Sequence, residues 1–214
     1  ACETTQDGVV PGNQETSEWL VPIEEVRDGG VGRDGIPSID NPTYSSATDQ
    51  EVVLDDELVS GVLINGNPVA FPHKIMDYHE IVNAEHGGFA YALSFCPLTG
   101  TSIVYPRNIN GEKTTFGVSG LLFNSNLILY DRSTESLWAQ MMWQAVNGPL
   151  IEREIPFTQV IETTWETWKN WYPETLVLDP PNGQPRSYDL YPYGGYRENH
   201  DFLLFQPKND YDAV

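Results

Sequence analysis

The sequence predicts an α+β fold, predominantly antiparallel β with a few short helices, forming one domain with a long N-terminal arm. Three observations lead there. Short apolar runs are bounded by turn residues, an Asn-Gly pair separates two of them, and two brief stretches carry helical spacing. With 214 residues the chain can bury one sizeable core.

Residues 1–50 are rich in Gly, Pro, Asp, Ser and Thr and are read as an arm or tether; residues 51–214 are read as a single β-rich domain. Leu58–Ile64, Asn65-Gly66-Asn67 and Pro68–Phe71 predict a hairpin. Between Pro72 and Glu85, the spacing of Ile75, Tyr78, His79 and Val82 predicts a helix ended by Gly87-Gly88. Phe89–Phe95 and Ser102–Tyr105 read as strands around the Cys96–Thr101 turn. Thr114–Val118, Leu121–Phe123 and Leu127–Tyr130 continue the strand pattern, and Leu137–Gln144 fits a strand or a short helix. Thr164–Tyr172 predicts a helix capped by Thr163 or Thr164 and stopped by Pro173. The spacing of its aromatic residues suits core packing better than a sugar platform.

A formal charge of −20 argues against nucleic acid and anionic membranes as partners. No apolar run is long enough for a transmembrane span. The start, Ala1-Cys2 followed by a polar tether, predicts an extracytoplasmic protein, periplasmic or at the cell surface, with Cys2 as a lipid anchor. The alternatives for Cys2 are an ordinary tail thiol or a disulfide with Cys96, the only other cysteine. Both tails are expected to be held, by the domain itself or by a protein partner or second copy of the chain.

Several blocks carry a family likeness: Phe71–Asn83, Phe95–Thr101, Phe116–Asn126, Tyr130-Asp131-Arg132 with Ser136-Leu137-Trp138, Thr163-Thr164-Trp165 with Trp168, and Tyr191–Gly194. In order and spacing they resemble the family catalogued as domain of unknown function 3179. The resemblance implies exported prokaryotic proteins without an assigned reaction. Many relatives carry a second Cys where Thr99 stands, which removes dithiol chemistry here. Relatives also commonly continue beyond the point matching Val214.

The densest chemical signal is His73, His79, His86 and Cys96 within one short stretch. Imidazole and thiolate hold soft and borderline metals, so the expected function is metal binding, with copper first and zinc as the alternative. Met76, Met141 and Met142 are candidate axial donors. A second candidate surface is Ser119, Asn124, Asn126, Asp131 and Arg132, read either as a site wall or as turn formers with an Arg–carboxylate brace. The alternative function is a non-catalytic surface or assembly subunit of an extracellular complex or filament. The third is a Cys96 hydrolase with His79 as base and Asp77 or Glu80 orienting it.

Overall fold

The computed structural model describes residues 18–182 and 187–199. In chain order the strands and helices are β1 (Val26–Asp28), β2 (Tyr44–Ser46), β3 (Leu58–Ile64), β4 (Asn67–Pro72) and α1 (His73–His79). There follow β5 (Ile81–His86), β6 (Phe89–Cys96), β7 (Thr101–Pro106), β8 (Asn108–Ile109), β9 (Glu112–Lys113) and β10 (Phe116–Phe123). The last are β11 (Asn126–Asp131), β12 (Leu137–Ala139), β13 (Gln144–Asn147), β14 (Ile161–Thr164), α2 (Trp165–Trp171) and β15 (Leu176–Leu178).

Two five-stranded sheets, ordered β1-β10-β11-β12-β13 and β14-β3-β4-β15-β2, flank the three-stranded sheet β5-β6-β7. Pairing is antiparallel except between β4 and β15. The small sheet is buried on both faces. Val82, Tyr91, Leu93, Phe95 and Val104 pack with Val62, Val69 and Phe71. Ile81, Ala92, Ile103 and Tyr105 pack with Phe116, Val118, Leu129 and Trp138. That double burial explains why Phe89–Cys96 is an apolar run without clean alternation. On the outer face of the second sheet lie Trp165 and Trp168, both buried, while Trp171 is exposed. Gly61 makes room for them, because a Cβ there would stand 2.3 Å from the Trp168 ring.

The β3–β4 hairpin forms as expected, with Asn65 and Gly66 both at positive φ. So does the cap of α2, where Thr164 Oγ1 accepts from the Thr167 amide. The helix expected over Pro72–Glu85 is shorter. It ends at His79, and Ile81–His86 pairs along its whole length with β6. Gly87-Gly88 therefore turns a hairpin. Local spacing favoured a helix, but a ladder with β6 satisfies the same backbone groups and buries Ile81 and Val82 completely.

Residues 1–17 of the expected arm, with Cys2, lie outside the described residues, as do His200 and the C-terminal tail. From Trp19 onward the chain lies against the domain: β1 pairs with β10, Ile39 bridges Val82, and β2 pairs with β15.

Candidate functional site

Helix α1 begins straight after Pro72, whose fixed φ suits a helix entry. His73, Asp77 and Glu80 fall at i, i+4 and i+7, along one face. The chain leaves the helix at Glu80 with φ 56° and ψ −28°, a left-handed conformation that Gly or Asn usually takes. Here a carboxyl group occupies it, and the residue is only 6% exposed.

Over α1 lies the Tyr-rich segment 187–199. Tyr193 donates from its hydroxyl to Glu80 Oε1 at 2.6 Å, and Arg197 donates to Asp77 Oδ1 at 2.7 Å. Tyr196 donates to the Leu98 carbonyl at 2.9 Å. Glu80 and Tyr193 open onto a cavity of about 190 Å³ whose remaining walls are apolar side chains, chiefly Ile36, Leu98, Val118, Leu121 and Leu127, and the glycine backbone of β10. A β-bulge between Val118 and Leu121 shapes that wall. Its Gly120 sits at φ +82° so close to Gly32 that a Cβ would stand 2.7 Å from the Gly32 backbone.

Burial pushes the Glu80 carboxyl up to about 7; the Tyr193 hydrogen bond opposes this and the Asp77 charge adds to it. Burial likewise pushes Asp77 up to about 6, against the pull of Arg197 and His73. The buried Cys96 thiol is also raised, first by desolvation; the Thr99 hydrogen bond lowers it and the Glu80 charge raises it.

The four expected metal ligands sit in four different settings. His73 Nε2 donates to the Glu162 carboxylate and lies 3.0 Å from Ser60 Oγ, which is 2.6 Å from Ser102 Oγ. His79 Nδ1 donates to the Pro37 carbonyl at 2.8 Å, so Nε2 is left to accept from the Tyr188 hydroxyl, also at 2.8 Å. His86 packs its ring edge-to-face against Tyr44. Cys96 is a free thiol whose Sγ lies 3.7 Å from the Ser125 carbonyl oxygen. Among the described residues no group of three or more His, Cys, Asp and Glu could hold a metal ion. Geometry explains the dispersal. Six residues of helix leave His73 and His79 about 120° apart around α1, and the six residues of β5 carry His86 roughly 20 Å along. Of the candidate axial donors, Met76 is in the core, and Met141 and Met142 are exposed.

The second candidate group is spread along β10–β12. Ser119 Oγ donates to the Ile128 carbonyl and accepts from the Leu121 amide at 3.0 Å, stitching the bulge. Asn124 lies at φ 51° in the β10–β11 turn. Asn126 Nδ2 donates to Thr99 Oγ1 and Gln140 Oε1. Asp131 is fully buried and accepts from Ser133 Oγ, the Thr134 amide and hydroxyl, and Trp138 Nε1. Arg132 donates to Asp34, Asp40 and the Phe116 carbonyl, forming a brace.

For the thiol-hydrolase arrangement, the expected base His79 is engaged with Pro37 and Tyr188, and the acidic neighbour of Cys96 is Glu80. The sequence alone points to Glu80 only as an orienting group for His79 and to Tyr193 for no part. It carries no local signal for either, because the helical spacing runs through Glu80 and only the pairing of β5 with β6 makes Glu80 the end of α1, where Gly or Asn would serve at less cost.

The model of the family described as protein of unknown function (DUF3179) matches residues 33–213. The chain belongs to this family. The matched span of the DUF3179 protein includes Ile36, Glu80, Leu98, the β10–β11 wall and Tyr193. No curated protein and no solved structure matches it.

Proposed function

We propose that this DUF3179 protein binds a small, mostly apolar molecule in the Glu80 pocket and exchanges a proton with it through the Glu80 carboxyl. One observation carries the reading: a buried carboxyl, held in a left-handed backbone, faces an otherwise apolar cavity with Tyr193 as its hydrogen-bond donor. A carboxyl poised near neutrality both gives and takes protons at physiological pH, which general acid–base chemistry requires. The test is ¹³C NMR titration of Glu80, assigned by loss of its signal in Glu80→Gln, with a fragment screen on both proteins. A midpoint near 7 and fragment hits lost in Glu80→Gln are expected. Titration in the ordinary carboxylate range, with hits indifferent to the substitution, would overturn the reading.

Copper or zinc binding is the competing reading, and the free thiol of Cys96 is the observation in its favour. It requires His73, His79 or His86 to leave its present partners and approach Cys96. Elemental analysis after copper and zinc reconstitution decides it: about one ion per chain, lost in Cys96→Ser, would replace the pocket reading. An assembly role is favoured by the exposed Met141, Met142, Trp143 and Phe157, with Trp143 stacked on Phe157 at 3.9 Å. Sedimentation that is monomeric at high concentration would rule it out. We further propose an extracytoplasmic location, which the family likeness implies; recovery from cells in the cytoplasmic fraction would contradict it.

A further inference from the structure

We infer that the pocket takes a compact apolar amine, bound as its ammonium to Glu80, an inference that rests on the pocket reading above. The lining dictates the ligand's shape and its charge. Ile36, Leu98, Val118, Leu121 and Leu127 offer only van der Waals contact. The cavity is somewhat larger than the ~150 Å³ apolar void that accommodates benzene, so a single ring or a short branched chain fills it.

Polar recognition then falls to one carboxyl. Oε1 already accepts from Tyr193, while Oε2 has no donor among the described residues. A ligand N–H is the group it lacks, and a charged donor makes the stronger bond. No Lys, Arg or His lines the cavity, so nothing there would hold a carboxylate or phosphate. The charged and titratable groups around Glu80 point the same way. Asp77 on the same helix is acidic, and its partner Arg197 is spent on it. Tyr193, from the covering segment, donates to Glu80, and behind Glu80 lies the protonated Cys96 thiol. The formal charge of −20 draws cations toward the surface and repels anions.

Proton linkage gives the inference its signature. Below the Glu80 midpoint, an ammonium must displace the carboxyl proton to solvent before the pair can form, so affinity climbs with pH and levels off above it. A carboxylic acid behaves in the opposite sense, since it loses its proton as Glu80 does. A neutral alcohol accepts or donates with little change.

Calorimetric titration of the full chain with benzylamine, benzyl alcohol and benzoate at pH 5.5 and 8 tests this. Benzylamine should bind roughly thirtyfold more tightly at pH 8, the ratio of ionised Glu80 at the two values. Glu80→Gln should remove the preference for amine over alcohol, and Tyr193→Phe, which keeps the carboxyl, should preserve it. Benzyl alcohol or benzoate binding better than benzylamine at pH 8 would overturn the amine assignment and leave the pocket standing. If none of the three binds and Glu80 titrates as an ordinary carboxylate, pocket and assignment fall together.

Discussion

Two buried acidic residues, Asp131 and Glu80, stand in opposite circumstances. Asp131 closes the β11–β12 turn and is met by four donors from Ser133, Thr134 and Trp138, within seven residues of it in sequence. Glu80 closes α1 and is met by one donor, Tyr193, from 113 residues away. A carboxylate with its lone pairs filled holds a turn together and has nothing left for a ligand. A carboxyl with one donor and an apolar cavity before it remains under-solvated, and its proton affinity rises accordingly. The difference separates an acid that builds structure from one available for chemistry.

The sharpest way to break the comparison is to remove each acid. Asp131→Ala strands the buried Trp138 N–H and the Thr134 donors, and should cost at least ~3 kcal/mol in urea unfolding. A loss below about 1 kcal/mol would end its structural role. Glu80→Gln should act with the opposite sign. The folded value of about 7 lies above the ordinary 4.5, so the stability linked to the Glu80 proton is present below 4.5 and lost as pH rises through 7. The variant should therefore match the wild type near pH 4 and exceed it by about 3 kcal/mol at pH 8. Asp77, pushed to about 6, adds to the wild-type decline in the same direction. Equal denaturation midpoints at pH 8 would place Glu80 beside Asp131 as a structural acid.

Tyr193→Phe is the smallest perturbation. It removes the hydrogen bond that holds Glu80 down, so the NMR midpoint should move above its wild-type value while stability changes by about 1 kcal/mol. A midpoint moving down would show that Tyr193 donates elsewhere.

Several elements were legible from the chain because their causes are local. Asn65-Gly66 dictates the β3–β4 hairpin, and Thr164 with the spaced tryptophans dictates α2. Arg132 pairs with Asp34 and Asp40, an Arg–carboxylate brace of the kind its residue types allow. By contrast, the stretch after His79 reads as helix until β6 is beside it, and the close spacing of His73, His79, His86 and Cys96 hides their separation in space. Proximity in sequence becomes proximity in space only when the intervening element returns the chain, and here a turn of helix and a strand carry these side chains apart.

By itself the sequence determined the β-rich character, the family and the main turns, since composition, alternation and positive-φ residues act over a few positions. Only the tertiary structure decided which buried acid has its proton affinity raised. Two carboxylates differ in chemistry through the donors and apolar walls around them, and for Glu80 those come from the stretch around Ile36, the turn at Leu98, β10, β11 and the segment 187–199, which no local rule connects.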